Sequence, residues 1–148
     1  SNFNDGSQIV IGGLKDDIDY LKSNPVDLNA KRVIPLDVAG AFHSKFVSSA
    51  KQEVQNIIDE VEFSEGKFDV YMNVDAKVAD LTTVKKRLVD QIDNSVMFYD
   101  QILNIENIAK PEKWYHIGPG NVTAGMVKKS ISSEGIEIIN SLDSLNNI

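Results

Sequence analysis

Apolar and polar positions fall into short segments whose spacing identifies one element after another. Asn2-Phe3-Asn4, followed by the turn residues Asp5-Gly6-Ser7, reads as an extended piece leading into Gln8-Ile9-Val10-Ile11, a compact β-branched run of the kind found in buried strands, which Gly12-Gly13 ends. Leu14, Ile18 and Leu21 recur at helical spacing until Asn24-Pro25, where proline disfavours the α conformation of its predecessor. Arg32 to Val38 is predicted as a strand, with Pro35, which lacks an N–H, suiting an edge or a bulge. From Phe46, the apolar stripe Val47, Ala50, Val54, Ile57, Ile58 and Val61 predicts a helix of about four turns, capped by Ser44.

Phe68 to Val74 alternates in the strand period, and Asp80, Leu81, Val84, Leu88 and Ile92 begin another helix that Asn94-Ser95 closes. Met97 to Ala109 reads as helix and Pro111 ends it. Trp114 to Ile117 is a strand entering the turn Gly118-Pro119-Gly120, Val122 to Ile131 a helix, and Ile136 to Ile139 one more strand. Asn140 to Ile148 has the composition of a polar terminus that frays. Strands alternating with helices mean an α/β chain, with parallel strands joined by crossover helices in its second half. A start made directly of strand-like residues leaves an open sheet edge unless further residues or a second chain cover it.

Composition narrows the chemistry. The 148 residues, 42% hydrophobic and 25% charged, fit one domain or part of a larger one with a real core. No run approaches the roughly 18 apolar residues of a membrane span. The absence of cysteine excludes disulfides, thiolate zinc sites and a cysteine nucleophile within these residues. A net charge of −7 disfavours nucleic acid and anionic lipid as partners. Only a convergence of Lys31-Arg32, Lys85-Lys86-Arg87 and Lys128-Lys129 in space would make a basic patch; singly, each reads as a solvated face. His43 and His116 have no metal-ligand spacing with nearby acids, so no metal is expected. Gly118-Pro119-Gly120 and Gly12-Gly13 read as turns, not phosphate loops.

One stretch carries candidate catalysis. Gly40-Ala41-Phe42-His43-Ser44 puts a histidine on a short loop between a strand-like run and an amphipathic helix, where an imidazole can act on a neighbouring hydroxyl or thiol. Taken in order, Asn2-Phe3-Asn4 with Gln8 to Gly13, then Gly40 to Ser44, Asn73-Val74, Gln91-Ile92 and Ile117-Gly118-Pro119-Gly120 resemble successive blocks of the C-terminal half of malonyl-CoA:acyl carrier protein transacylases, from residue 1 to about 131.

That resemblance implies a large α/β-hydrolase-like subdomain with a ferredoxin-like small one inserted into it. Residues 1–38 would be the remainder of the small subdomain and 39–148 the C-terminal part of the large one. It also implies transfer of malonyl from coenzyme A to a serine and on to the phosphopantetheine thiol of acyl carrier protein, in fatty-acid biosynthesis. The family's nucleophile elbow and carboxylate-binding arginine would lie upstream, and these 148 residues contain no Gly-x-Ser-x-Gly, so the chain alone is expected to be inactive.

By the same resemblance His43 is the general base, oriented by the backbone carbonyl of Gln91. Asn2, Asn4 and Gln8 match polar positions of the acyl and pantetheine pocket. Arg32 matches a position toward the cofactor phosphate or carrier protein, and Phe42 one that narrows the pocket for malonyl. Asp5-Gly6-Ser7 departs from the proline-glycine that the family often has there, and His116 from the residues its relatives tend to carry before Ile-Gly-Pro-Gly; His116 is read as structural. Malonyl-CoA is the implied substrate, with no covalently bound cofactor, and acyl carrier protein the implied partner. The full-length enzyme is expected to be monomeric, in the cytoplasm, or in the plastid or mitochondrial matrix if a presequence lies upstream. The alternatives are a polyketide synthase acyltransferase domain and a non-catalytic carrier-protein-binding module.

Overall fold

The computed structural model describes residues 1–131 and 135–146. β1 (Asn2–Asp5) and β2 (Gln8–Val10) form an antiparallel hairpin whose register, Asn2 opposite Val10 and Phe3 opposite Ile9, shifts before Asp5 meets Gln8. Asp5 makes the turn: its carboxylate accepts from the Ser7 N–H at 2.8 Å and the Ser7 hydroxyl at 2.7 Å. On its other edge the hairpin gains a short parallel bridge to Val96, through Phe3 N–H to Val96 O at 2.9 Å and Val96 N–H to Ser1 O at 2.8 Å. β2 is a strand but not a buried one. Ile9 is exposed, with no layer over this face of the hairpin among the described residues.

α1 (Lys15–Ser23) ends before Pro25 as its spacing predicts. Residues 32–38 depart from expectation: the stretch forms no regular element, no strand pairs with it among the described residues, and Ile34, Leu36 and Val38 are exposed. Alternation supplies two faces without supplying a hydrogen-bonding neighbour, and Pro35 removes a donor from this segment. The predicted four-turn helix is a 3₁₀ turn, Lys45–Ala50, running into α2 (Lys51–Glu60).

A second strand prediction also fails. Within residues 68–74 the chain turns back on itself: Met72 O accepts from Ala76 N–H at 2.9 Å, Ala76 takes a left-handed φ of 58°, and Tyr71 bridges antiparallel to Val78. α3 (Val84–Asp90) follows, its entry tied by Asp80, whose carboxylate accepts from the N–H groups of Thr82 and Thr83 at 2.9 and 3.0 Å. The two threonine hydroxyls first, and then these N–H bonds, pull Asp80 down to a pKa of about 2.

α4 (Phe98–Asn104) continues through a π turn, Ile105–Ala109, to Lys110 in the left-handed region. β3 (Trp114–Ile117), α5 (Val122–Ile131) and β4 (Ile136–Ile139) make a parallel βαβ unit with Trp114 opposite Ile136 and Ile117 opposite Ile139. Its core is Ile102, Ala124, Val127 and Ile136, with Phe98, Trp114, Ile131 and Ile138 packed around them. The terminus is more ordered than its polarity suggests. α6 (Leu142–Leu145) is held by a capping box in which Ser141 and Ser144 each bind the other's backbone N–H; residues 147–148 of the expected fraying tail lie outside the described residues. Among the described residues no helix is long and apolar enough to cross a membrane.

Candidate active site

The histidine loop is built from its flanks inward. Ser44 is extended and caps the following 3₁₀ turn, its hydroxyl accepting from Phe46 N–H at 3.4 Å and donating to Ala41 O at 2.6 Å. Between them His43 has φ 55°, the left-handed region that a non-glycine residue enters at a cost and that clusters at functional sites. The loop is closed from the other side by Ser1, whose backbone nitrogen donates to His43 O and whose hydroxyl accepts from Gly12 N–H at 2.8 Å.

This conformation brings the half-buried His43 ring to the C-terminal end of α3, with Nδ1 3.0 Å from Gln91 O. A carbonyl can only accept, so in the neutral ring Nδ1 carries the proton and Nε2 presents its lone pair. Nε2 has no partner among the described residues. The carbonyl is available because the last turn of a helix leaves its C=O groups without intrahelical donors. The Gln91 side chain turns away, donating to Asn94 O at 3.0 Å and Ser95 O at 3.2 Å; its Oε1 is buried with no partner among the described residues.

Polar contacts span the gap between the helix after His43 and the end of α3. Ser48 Oγ donates to Asp93 Oδ2 at 2.7 Å, and Lys51 Nζ lies 2.9 Å from Asp93 Oδ1 and 3.2 Å from Asp90 Oδ1. Lys86 closes the far side of Asp90. The Ser48 hydroxyl first, and then Lys51, hold the Asp93 carboxyl below its ordinary value; Asp90 is lowered chiefly by Lys86, against some desolvation and with help from Lys51.

The other sequence-derived residues are not all gathered here. Asn2 sits at the open end of the hairpin, beside Ser1 and opposite Val10, and so next to the histidine loop. Asn4 is buried nearer the hairpin turn, and Gln8 is exposed at that turn. Phe42 is 56% exposed. Arg32 is exposed on the unpaired segment, with no ion pair among the described residues. Two of the three basic clusters are partly neutralised where they stand: Lys86 meets Asp90 and Arg87 meets Asp75 in one, and Lys129 meets Asp5 in the other.

Neither of two open cavities is lined by His43. One of about 320 Å³ lies against β3 and α5, among Trp114, His116, Ala124 and Val127, and one of about 220 Å³ is bounded by Tyr71, Met72, Asn73, Leu88 and Gln91. His116 Nδ1 is 2.8 Å from Thr123 Oγ1, while its Nε2 is buried with no partner among the described residues. Among the described residues no group of three or more His, Cys, Asp or Glu side chains could hold a metal ion. Sequence reasoning missed Ser1, Gly12, Ser48, Lys51, Asp90 and Asp93. Ser48 with Lys51 and Asp90 with Asp93 are both pairs at i,i+3, a same-face spacing on a helix that could have been noticed.

No protein-family model matches the chain. It is 35% identical over 130 residues to the polyketide biosynthesis malonyl CoA-acyl carrier protein transacylase BaeC of Bacillus velezensis, covering 87% of this chain and 45% of that protein. The malonyl-CoA:ACP transacylase structure from Synechocystis superposes with a TM-score of 0.89 at 27% identity, over 100% of this chain and 50% of that one. A malonyl-transacylase solved in complex with its type II polyketide acyl-carrier protein superposes with a TM-score of 0.90 at 27% identity, over 99% of this chain and 47% of that one. The chain thus spans about half the length of the relatives it matches. In sequence and in its α/β fold it corresponds to the C-terminal half of the malonyl CoA-acyl carrier protein transacylases.

Proposed function

We propose that this chain supplies the general base and part of the acyl cleft for malonyl transfer from coenzyme A to the phosphopantetheine thiol of acyl carrier protein, serving fatty-acid or polyketide synthesis. The observation that carries the reading is the His43 ring held through Nδ1 on Gln91 O with Nε2 free, in a chain whose relatives are named as malonyl transacylases. The acyl-carrier-protein complex of one structural neighbour supports the choice of partner.

In this reading the nucleophile is a serine from the part of the relatives that these 148 residues do not match. His43 Nε2 takes the serine proton as the hydroxyl oxygen attacks the thioester carbonyl. The C–S bond then breaks, and the imidazolium returns the proton to the departing thiolate of coenzyme A. The second half runs in reverse. Nε2 takes the proton of the pantetheine thiol, sulfur attacks the malonyl-serine ester, the C–O bond breaks, and serine recovers the proton. In both halves the Gln91 carbonyl keeps Nδ1 protonated and Nε2 available, the work an aspartate does in Ser-His-Asp triads.

The same reading assigns residues 1–38 to the small subdomain and 39–148 to the large one. Asn2, Asn4 and Gln8 would line the acyl and pantetheine side, Arg32 would face phosphate or carrier protein, and Phe42 would exclude acyl groups larger than malonyl. The test uses these residues joined to the nucleophile-bearing half: malonyl loading from coenzyme A and transfer to acyl carrier protein are compared for wild type and His43→Ala. A fall of about 10²- to 10⁴-fold is expected. Equal rates would end the assignment of His43 as base.

A further inference from the structure

The contacts that join the helix after His43 to the end of α3 have a particular arrangement around Gln91. Asp90 and Asp93 stand one residue before and two residues after it, and both carboxylates are reached from the other segment: Asp93 by Ser48 Oγ at 2.7 Å and Lys51 Nζ at 2.9 Å, Asp90 by Lys51 Nζ at 3.2 Å. Ser48 and Lys51 follow His43 by five and eight residues on the 3₁₀ turn and α2, so the chain carrying the imidazole is clipped to the chain carrying its acceptor on both sides of that acceptor. Side-chain exposures of 29% for Lys51, 26% for Asp90 and 17% for Asp93 make these half-buried contacts, less screened than an ordinary surface pair.

We propose that Lys51, with Ser48, is a positioning residue for His43, setting the register of the 43–51 segment on α3 so that Nδ1 meets the Gln91 carbonyl and Nε2 faces outward as the base. The inference rests on the general-base reading of His43 and adds the charge pair that keeps that geometry. The Nδ1 bond is a single contact between residues 48 positions apart, made by a residue with a strained backbone. A second attachment in the 45–51 segment, added to the Ser44 cap and the Ser1 bond to His43 O, opposes relaxation of His43 toward ordinary φ, which would swing the ring off the carbonyl. The Lys51 bridge and the Ser48 bond provide that attachment.

The test reads the ring directly, by ¹⁵N NMR of His43 in the 148-residue chain at a pH where imidazole is neutral. Wild type is expected as the Nδ1–H tautomer, with Nδ1 pyrrole-like and Nε2 pyridine-like. Lys51→Ala should mix the tautomers and bring the Nδ1 and Nε2 shifts together, Lys51→Arg should restore the wild-type pattern, and removal of the distant Lys113–Glu137 pair by Lys113→Ala should leave it unchanged. Asp93→Asn keeps an acceptor for Ser48 but loses the charge for Lys51, so it decides the matter if Lys51→Ala does not fold; it should give a partial mixture. An unaltered Nδ1–H pattern in Lys51→Ala, or in Asp93→Asn if that is the variant that folds, overturns the positioning role. A wild-type ring in the Nε2–H tautomer instead overturns the general-base geometry itself, so the two failures are distinct. Joined to the nucleophile-bearing half, Lys51→Ala should lower kcat by about tenfold with little change in KM, the pattern of a misaimed base.

Discussion

Gly12 and Ala41 meet across the seam between the hairpin and the histidine loop: a β-carbon at Gly12 would stand 3.0 Å from that of Ala41 and 3.6 Å from Ser1 Oγ. This close approach lets Gly12 N–H reach Ser1 Oγ, while the Ser1 backbone nitrogen holds His43 O. Gly12→Ala should therefore push the loop by a few tenths of an ångström, shift the amide resonances of residues 41–44, and cost about 1 kcal/mol in urea unfolding. Unmoved loop resonances would show that the seam is loose.

The φ of 55° at His43 can be separated from the chemistry of its ring. Asparagine tolerates the left-handed region and valine does not. His43→Asn and His43→Val both remove the imidazole, yet the valine variant should be less stable by about 1–2 kcal/mol. Equal urea midpoints would mean that the loop relaxes at no cost.

Asp5 gives the hairpin a pH signature. Its side chain is fully enclosed, and that burial pushes its pKa up, but the Ser7 hydrogen bonds and Lys129 more than offset it and leave the carboxyl below its ordinary 3.8. A depressed folded pKa means the contribution is complete above 3.8 and is lost as pH falls below 3.8 through the lower folded value. Asp5→Asn should be less stable than wild type at pH 7, and the difference should shrink steadily in acid below that point. A gap independent of pH would locate the effect in packing.

Arg87 fastens the 71–80 turn to α3. Its guanidinium donates to Val78 O at 2.8 Å, to Lys77 O at 2.8 Å and to the Asp75 carboxylate, while its Nε is buried with no partner among the described residues. Arg87→Ala strips two carbonyls and a carboxylate of their donors at once and should cost about 2–3 kcal/mol. Arg87→Lys should recover only part of this, because an ammonium lacks the fork that spans the separate acceptors. Thermal melts of the three proteins measure both steps.

What was legible in the sequence follows from which interactions are local. α1, α3, α4 and the βαβ unit came through because their apolar spacing, Asn24-Pro25 and the 94–95 break act within a few residues. Arg32 to Val38 and Phe68 to Val74 were misread because alternation reports two faces but says nothing of a pairing neighbour. In one case none is present among the described residues, and in the other the chain folds back at Asn73–Ala76. The His43–Gln91 contact could not come from periodicity, since it joins a loop to a helix end 48 residues away; it was reached through the resemblance of ordered motifs. The Lys51 bridge escaped both routes, because a lysine on a polar helix face looks like any solvated charge until its acceptors are located.

The unpaired stretch bearing Ile34, Leu36 and Val38 also governs how the chain behaves in bulk. Open amide groups beside exposed branched side chains are a template for another such segment, and Pro35 interrupts that template at a single position. Mutual repulsion between molecules of charge −7 opposes such self-association, and it fades as added salt shortens the screening length to about 10 Å near 0.1 M. Colloidal stability of this chain should accordingly fall with ionic strength, and a charged residue in place of Leu36 should restore it.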